Sequence, residues 1–124
     1  MTVVLVVDDN ERNRKLARNV LDAAGFQTLE AATGAEGIAL AVEHVPDVIL
    51  LDLGLPDMNG REAARTLQAG EGTAHIPIVA TSATRLEGSG GWLEAAGFAG
   101  WLEKPIRVET FPDEVRRFCV DGTA

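Results

Sequence analysis

The sequence predicts an α/β protein: a doubly wound, five-stranded parallel sheet with five helices on both faces. Three observations lead there. Short β-branched runs alternate with longer segments of helical periodicity along the whole chain. The strongest runs are apolar without alternation, as in strands buried on both faces. The chain has 124 residues, the size of one domain, with no internal repeat, low-complexity tract or linker. One domain over 1–124 is therefore expected.

The elements follow in order. Val3-Val4-Leu5-Val6-Val7 is the first strand and stops at Asp8 and Asp9. Residues 10 to 24 form a helix that places Leu16, Val20, Leu21 and Ala24 on one face. Thr28-Leu29-Glu30-Ala31 is a weaker strand. Thr33-Gly34-Ala35-Glu36 reads as a capping box, in which the hydroxyl accepts from the N3 amide and Glu36 reaches back. The helix that follows is expected to bury Ile38, Ala41, Val42 and Val45. Asp47-Val48-Ile49-Leu50-Leu51-Asp52 is the third strand. Asn59-Gly60-Arg61-Glu62 opens the third helix, which contains Ala63, Ala64 and Leu67.

Ile76-Pro77-Ile78-Val79-Ala80-Thr81 is the fourth strand, with Pro77 at its start, where a missing donor does least harm. A fourth helix is expected over Trp92 to Ala96, ending at Gly97 as a C′ glycine. Glycine costs about 1 kcal/mol relative to alanine inside a helix, so Gly88-Ser89-Gly90-Gly91 is expected to be a mobile loop before it. Ala99-Gly100-Trp101-Leu102 is the fifth strand. The last helix runs from about Thr110 to Cys119, with Pro112 in its first turn.

Composition excludes several classes. Eleven Lys and Arg against nineteen Asp and Glu give a net charge of −8. That balance argues against a nucleic-acid binder, which needs a basic footprint. The single cysteine, Cys119, can form no internal disulfide and supplies no metal cluster. It is expected to be a small hydrophobe in the last helix. No apolar run approaches the ~20 residues of a membrane span. The N-terminal run lacks a basic flank and ends in two acids, so it does not read as a signal peptide. The expected location is the cytoplasm, with no membrane contact.

In open parallel sheets, ligands bind outside the carboxyl ends of the strands. Collected there are Asp8 and Asp9 after strand one, Asp52 at the end of strand three, Ser82 and Ala83 after strand four, and Glu103, Lys104 and Pro105 after strand five. Three carboxylates brought together repel one another unless a cation sits among them. One lysine does not balance three acids, and a hard divalent ion with oxygen ligands, Mg²⁺ best of all, suits such a set. An ion, an ammonium and a hydroxyl donor together suit a phosphoryl group, and a carboxylate among them can act as nucleophile.

These residues sit in four motifs: Val6-Val7-Asp8-Asp9-Asn10; Leu51-Asp52-Leu53-Gly54-Leu55-Pro56-Asp57-Met58-Asn59-Gly60; Thr81-Ser82-Ala83; and Gly100-Trp101-Leu102-Glu103-Lys104-Pro105-Ile106. In order and spacing the chain resembles a response-regulator receiver domain of two-component phosphorelay signalling, of the CheY-like, stand-alone type. The resemblance implies a flavodoxin-like strand order of 2-1-3-4-5. It implies that Asp52 is phosphorylated by a phosphohistidine on a sensor kinase or phosphotransfer protein. Asp8, Asp9, Asp52 and the Gly54 carbonyl would hold Mg²⁺. Ser82 and Lys104 would contact the phosphoryl group, Ser82 and Trp101 would form the switch, and the peptide before Pro105 would be cis. Such a protein turns over no free substrate: it catalyses only its own phosphorylation and dephosphorylation. It passes the signal to a downstream protein, as a monomer or weak homodimer. No effector domain is expected after the last helix, so the chain is expected to be a single-domain regulator or, alternatively, a receiver from a larger protein such as a hybrid kinase.

Two rival classes fit less well. An aspartate-nucleophile phosphatase wants Asp-x-Asp after strand one, whereas here the acids are adjacent. A dinucleotide-binding module wants Gly-x-Gly-x-x-Gly there, and none follows. The family pattern is departed from at Ser82, where Thr is commoner, at Trp101, where Tyr or Phe is usual, and at Gly88–Gly91, where charged residues are usual. Asp57 reads as a turn residue beside Pro56, and His75 as a solvated loop residue. Arg12, Arg14, Lys15 and Arg18 form a basic group on the first helix, either a solvated face or a dock for the phosphodonor.

Overall fold

The computed structural model describes residues 2–82, 96–104 and 106–119, without the Glu103 side chain. The apolar runs form strands β1 (Val3–Val7), β3 (Val48–Asp52) and β4 (Ile78–Ser82). Strands β2 (Gln27–Ala31) and β5 (Gly100–Glu103) flank them. Every pairing is parallel and the order is β2-β1-β3-β4-β5, as the resemblance implied. The described helices are α1 (Glu11–Ala23), α2 (Gly34–His44), α3 (Gly60–Ala69) and α4 (Phe111–Phe118). The expected helix over Trp92 to Ala96, apart from Ala96 itself, and the loop at Gly88–Gly91 lie outside the described residues, as does Pro105. Gly97 has φ +88°, a left-handed backbone value that glycine adopts without strain.

Successive strand side chains point to opposite faces, and the core divides accordingly. Leu5, Val7, Ile49 and Leu51 pack with Ala63, Ala64 and Leu67 of α3 on one face. Val4, Val6, Val48 and Leu50 pack with Ala17 and Leu21 of α1 and with Phe111 and Val115 of α4 on the other. Helix starts follow the predicted chemistry. The Thr33 hydroxyl accepts from the Glu36 amide at 3.1 Å, and Glu36 reaches back to the Ala32 amide at 2.8 Å. Asn59 caps α3 through the Glu62 amide at 2.9 Å.

Two predicted helix faces need correction. In α1 the buried stripe is Ala17 and Leu21, and Leu16 is 38% exposed at its edge. In α2, Gly34, Gly37 and Ala41 are buried, while Val42 is 64% and Val45 44% exposed. The cause is close packing on the sheet. A Cβ on Gly37 would lie 2.7 Å from Val7 Cγ2, so the glycine side of the helix, not its valines, lies against β1. Cys119 is buried, one residue past the end of α4 rather than inside it. His75 is exposed, as expected.

This assignment of faces is testable by urea denaturation. Leu21→Ala should cost about 2–5 kcal/mol, whereas Val42→Gln should stay within about 0.5 kcal/mol of the parent. Comparable losses for both would contradict it.

Candidate functional site

The sheet register builds the site. Val7 pairs with Leu51, so the next residues, Asp8 and Asp52, emerge side by side. Ser82 pairs with Glu103, so Lys104 leaves the sheet beside the end of β4. The Lys104 amide donates to the Ser82 carbonyl at 2.8 Å, fixing where the lysine stem begins. From there the side chain reaches past β4. Its Nζ donates to Asp8 Oδ2 at 2.8 Å and to Asp52 Oδ2 at 3.1 Å.

Both acids are buried, Asp8 to 4% exposure and Asp52 to 7%, while Asp9 is exposed. Carboxylate oxygens of all three lie within 4.8 Å of one another. Asp8 Oδ1 accepts from the Asn10 amide at 2.9 Å, and Asp8 Oδ2 from the Asn13 side chain at 3.4 Å. Asp52 Oδ1 accepts from the Gly54 amide at 3.1 Å. Burial is the largest influence on Lys104 and favours its neutral form. The hydrogen bonds to Asp8 and Asp52 and the charges of both acids outweigh it, so its pKa lies above the usual lysine value. The site thus holds a permanent ammonium at physiological pH. Three carboxylates still face one cation, all with hard oxygen donors, and the exposed Asp9 leaves an approach from solvent. This donor set fits a hard divalent ion.

Of the other expected site residues, Ser82 ends β4 and is half-buried. Trp101 pairs with Ala80 and is half-buried against the core face that contains Val7 and Leu51. Gly54 lies two residues beyond Asp52, bonded to it through its amide. Ala83 and Pro105 lie outside the described residues. Sequence reasoning missed the outer layer. Asn10 caps α1, its side chain accepting from the Asn13 amide at 3.2 Å, and an N-cap asparagine before a helical run was a readable signal. Arg14 donates to the Asp8 carbonyl at 2.8 Å.

Asp57 does more than make a turn. Its two carboxylate oxygens accept from the Gly34 and Ala35 amides at 2.8 and 3.0 Å. It therefore clamps the loop after Asp52 to the first turn of α2. Met58 packs beside it so closely that a Cβ on Gly34 would lie 2.6 Å from Met58 Cγ. The hydrogen bond from Gly34, then that from Ala35, holds the Asp57 carboxyl below its usual pKa. The basic group on α1 is also partly neutralised. Arg14 and Arg18 pair with Glu30 at 3.6 and 2.8 Å, whereas among the described residues Arg12 and Lys15 have no ion-pair partner.

A sheet of this order with acids and a lysine at its carboxyl edge defines a phosphoryl-signalling class. The family model for the response regulator receiver domain matches residues 4–116. The chain is 36% identical over 119 residues to the polar-differentiation response regulator DivK of Brucella ovis, covering 96% of this chain and 97% of that one. The chemotaxis response regulator CheY4 of Vibrio cholerae superposes with a TM-score of 0.89 at 30% identity, over 95% of this chain and 98% of that one. The receiver domain of a sensor histidine kinase from Pseudomonas aeruginosa, with magnesium coordinated in its active site cleft, superposes at 0.84 and 28% identity, over 94% and 96%. The chain belongs to the response regulator receiver domain family. Receiver domains are signalling proteins that work with histidine kinases or phosphotransfer proteins. Among the described residues, no helix is long and apolar enough to cross a membrane.

The Asp57 clamp has a defined pH signature. A carboxyl with a lowered folded-state pKa stabilises the fold above its unfolded value, and loses that contribution as pH falls through the folded value. Asp57→Asn should therefore remove part of the loss of stability below about pH 4. It should also speed hydrogen exchange at the Gly34 and Ala35 amides. Parallel stability–pH curves for parent and variant would contradict the clamp.

Proposed function

We propose that residues 1–124 form one cytoplasmic receiver domain that accepts a phosphoryl group on Asp52 and signals through protein contacts. The observation that supports this best is the shared ammonium: Lys104 Nζ lies between two buried carboxylates at the end of a parallel sheet. In the reaction an Asp52 carboxylate oxygen attacks the phosphorus of a phosphohistidine. The P–N bond breaks, its electron pair returns to the imidazole, and that ring takes up a proton. Asp52 is left as an acyl phosphate. The Gly54 amide orients Asp52 before attack, Lys104 meets the charge on the transferred group, and the Ser82 hydroxyl donates a hydrogen bond to it. Ser82 and Trp101 then act as the switch. Asp8, Asp9, Asp52 and the Gly54 carbonyl would hold Mg²⁺, which neutralises phosphoryl oxygens when bound.

Incubation with acetyl phosphate and Mg²⁺, followed by intact mass, tests the chemistry. One phosphoryl should be gained in the parent and none in Asp52→Asn, and Lys104→Met should be slower by roughly 10²-fold. Undiminished labelling of Asp52→Asn would refute Asp52 as the acceptor. At a hundred times its Kd, Mg²⁺ should stabilise the parent by about 2.7 kcal/mol. It should do so far less in Asp8→Asn with Asp9→Asn.

Arg12 and Lys15 of α1, which have no ion-pair partner among the described residues, are proposed to dock the phosphodonor, Arg14 and Arg18 being held by Glu30. Arg12→Glu with Lys15→Glu should slow transfer from the protein donor and flatten its salt dependence, while leaving labelling by acetyl phosphate unchanged. An unchanged protein-donor rate would remove this role.

A further inference from the structure

Between α1 and α4, on the sheet face away from α2 and α3, lies a cavity of about 430 Å³. Its floor is the apolar surface of Val6, Leu50 and Leu102, and its walls include Ala17 and Phe111, all buried. Leu16 lines it too, which gives a place to the leucine that the α1 core stripe leaves 38% exposed.

The charged lining is unequal. Lys104 and Asp8 reach the cavity but are paired with each other. Glu114 accepts a hydrogen bond from the Thr110 hydroxyl at 3.0 Å. Arg107 and Arg117 also line it, both exposed, and among the described residues neither has an ion-pair partner. The volume lies in the range of small-molecule sites. An apolar floor, with two lining arginines that have no ion-pair partner among the described residues, complements a molecule with a flat apolar body and an anionic group at one end.

We propose that this cavity binds a small amphipathic organic anion, such as an aromatic sulfonate or carboxylate, with its rings on Val6, Leu50 and Leu102 and its anionic group at Arg107 and Arg117. The cavity shares Asp8 and Lys104 with the proposed phosphoryl site, and its binding is tested without phosphorylation. The probes are 1-anilinonaphthalene-8-sulfonate and its uncharged analogue N-phenyl-1-naphthylamine, titrated into the folded full chain and followed by fluorescence and by backbone amide shifts. The sulfonate should bind one to one, with shifts centred on Val6, Leu50, Leu102 and Phe111. Arg107→Gln with Arg117→Gln should weaken the sulfonate roughly tenfold or more and leave the amine nearly unchanged. Ala17→Leu, which fills the cavity, should weaken both. The arginine variant alters only surface side chains, so it decides the matter even if Ala17→Leu fails to fold. Sulfonate affinity unchanged in the arginine variant, shifts centred elsewhere, or no saturable binding would each overturn the proposal.

Discussion

One ammonium between two buried carboxylates is the constraint on which the rest of the structure depends. Lys104 bonds Asp8 and Asp52 together, and the three come from the ends of β5, β1 and β3. An unpaired charge at such a depth costs several kcal/mol, so no member can move far without the others. This requires the strand ends to lie level, which the register delivers: Val7 opposite Leu51, and Ser82 opposite Glu103. It also requires a long flexible cation, because β4 lies between Lys104 and its partners, and a lysine stem spans that gap.

The outer layer keeps each acid aimed. Asp8 is held through its own carbonyl by Arg14, through its amide by Ala31, and through its carboxylate by Asn10 and Asn13. Asp52 is held by the Gly54 amide, and the loop containing Gly54 is held in turn by Asp57 on the first turn of α2. The chain leaving each acid is thus tied to a helix N-terminus: Asn10 caps α1, and Asp57 caps α2 from another loop. Anchoring to helix starts suits acidic loops, because unpaired amides there accept negative charge favourably.

Much of this was legible in the sequence. Continuous apolar runs ending in aspartate mark β1 and β3, and the strand ends gather Asp8, Asp9, Asp52 and Lys104. The caps at Thr33 and Asn59 were readable because capping depends on residues three apart. What was not legible depended on contacts between distant residues. Asp57 lies 23 residues from Gly34, and nothing local separates a helix clamp from a turn residue. Val42 looked like core because helical periodicity sets only the spacing of a stripe. Gly37, on the opposite side of the helix, lets α2 approach Val7 of β1 closely. Arg14 and Arg18 looked like part of a free basic face until Glu30 of β2 was seen against them.

The unequal grip of Lys104 also bears on how a chemical event at Asp52 would spread. Its contact to Asp8 is 2.8 Å and that to Asp52 is 3.1 Å, so the ammonium sits closer to the residue that the proposed reaction leaves unmodified. A phosphoryl group on Asp52 would add negative charge on that side and draw the ammonium toward it. The lysine backbone cannot follow freely, because its amide is bonded to the Ser82 carbonyl at the end of β4. The flexible stem takes up the shift, while the backbone stays anchored beside the two residues proposed as the switch: Ser82, which accepts from its amide, and Trp101, three positions before it. The proposed acceptor and the β4–β5 edge of the sheet are thus joined by one ammonium and one backbone hydrogen bond.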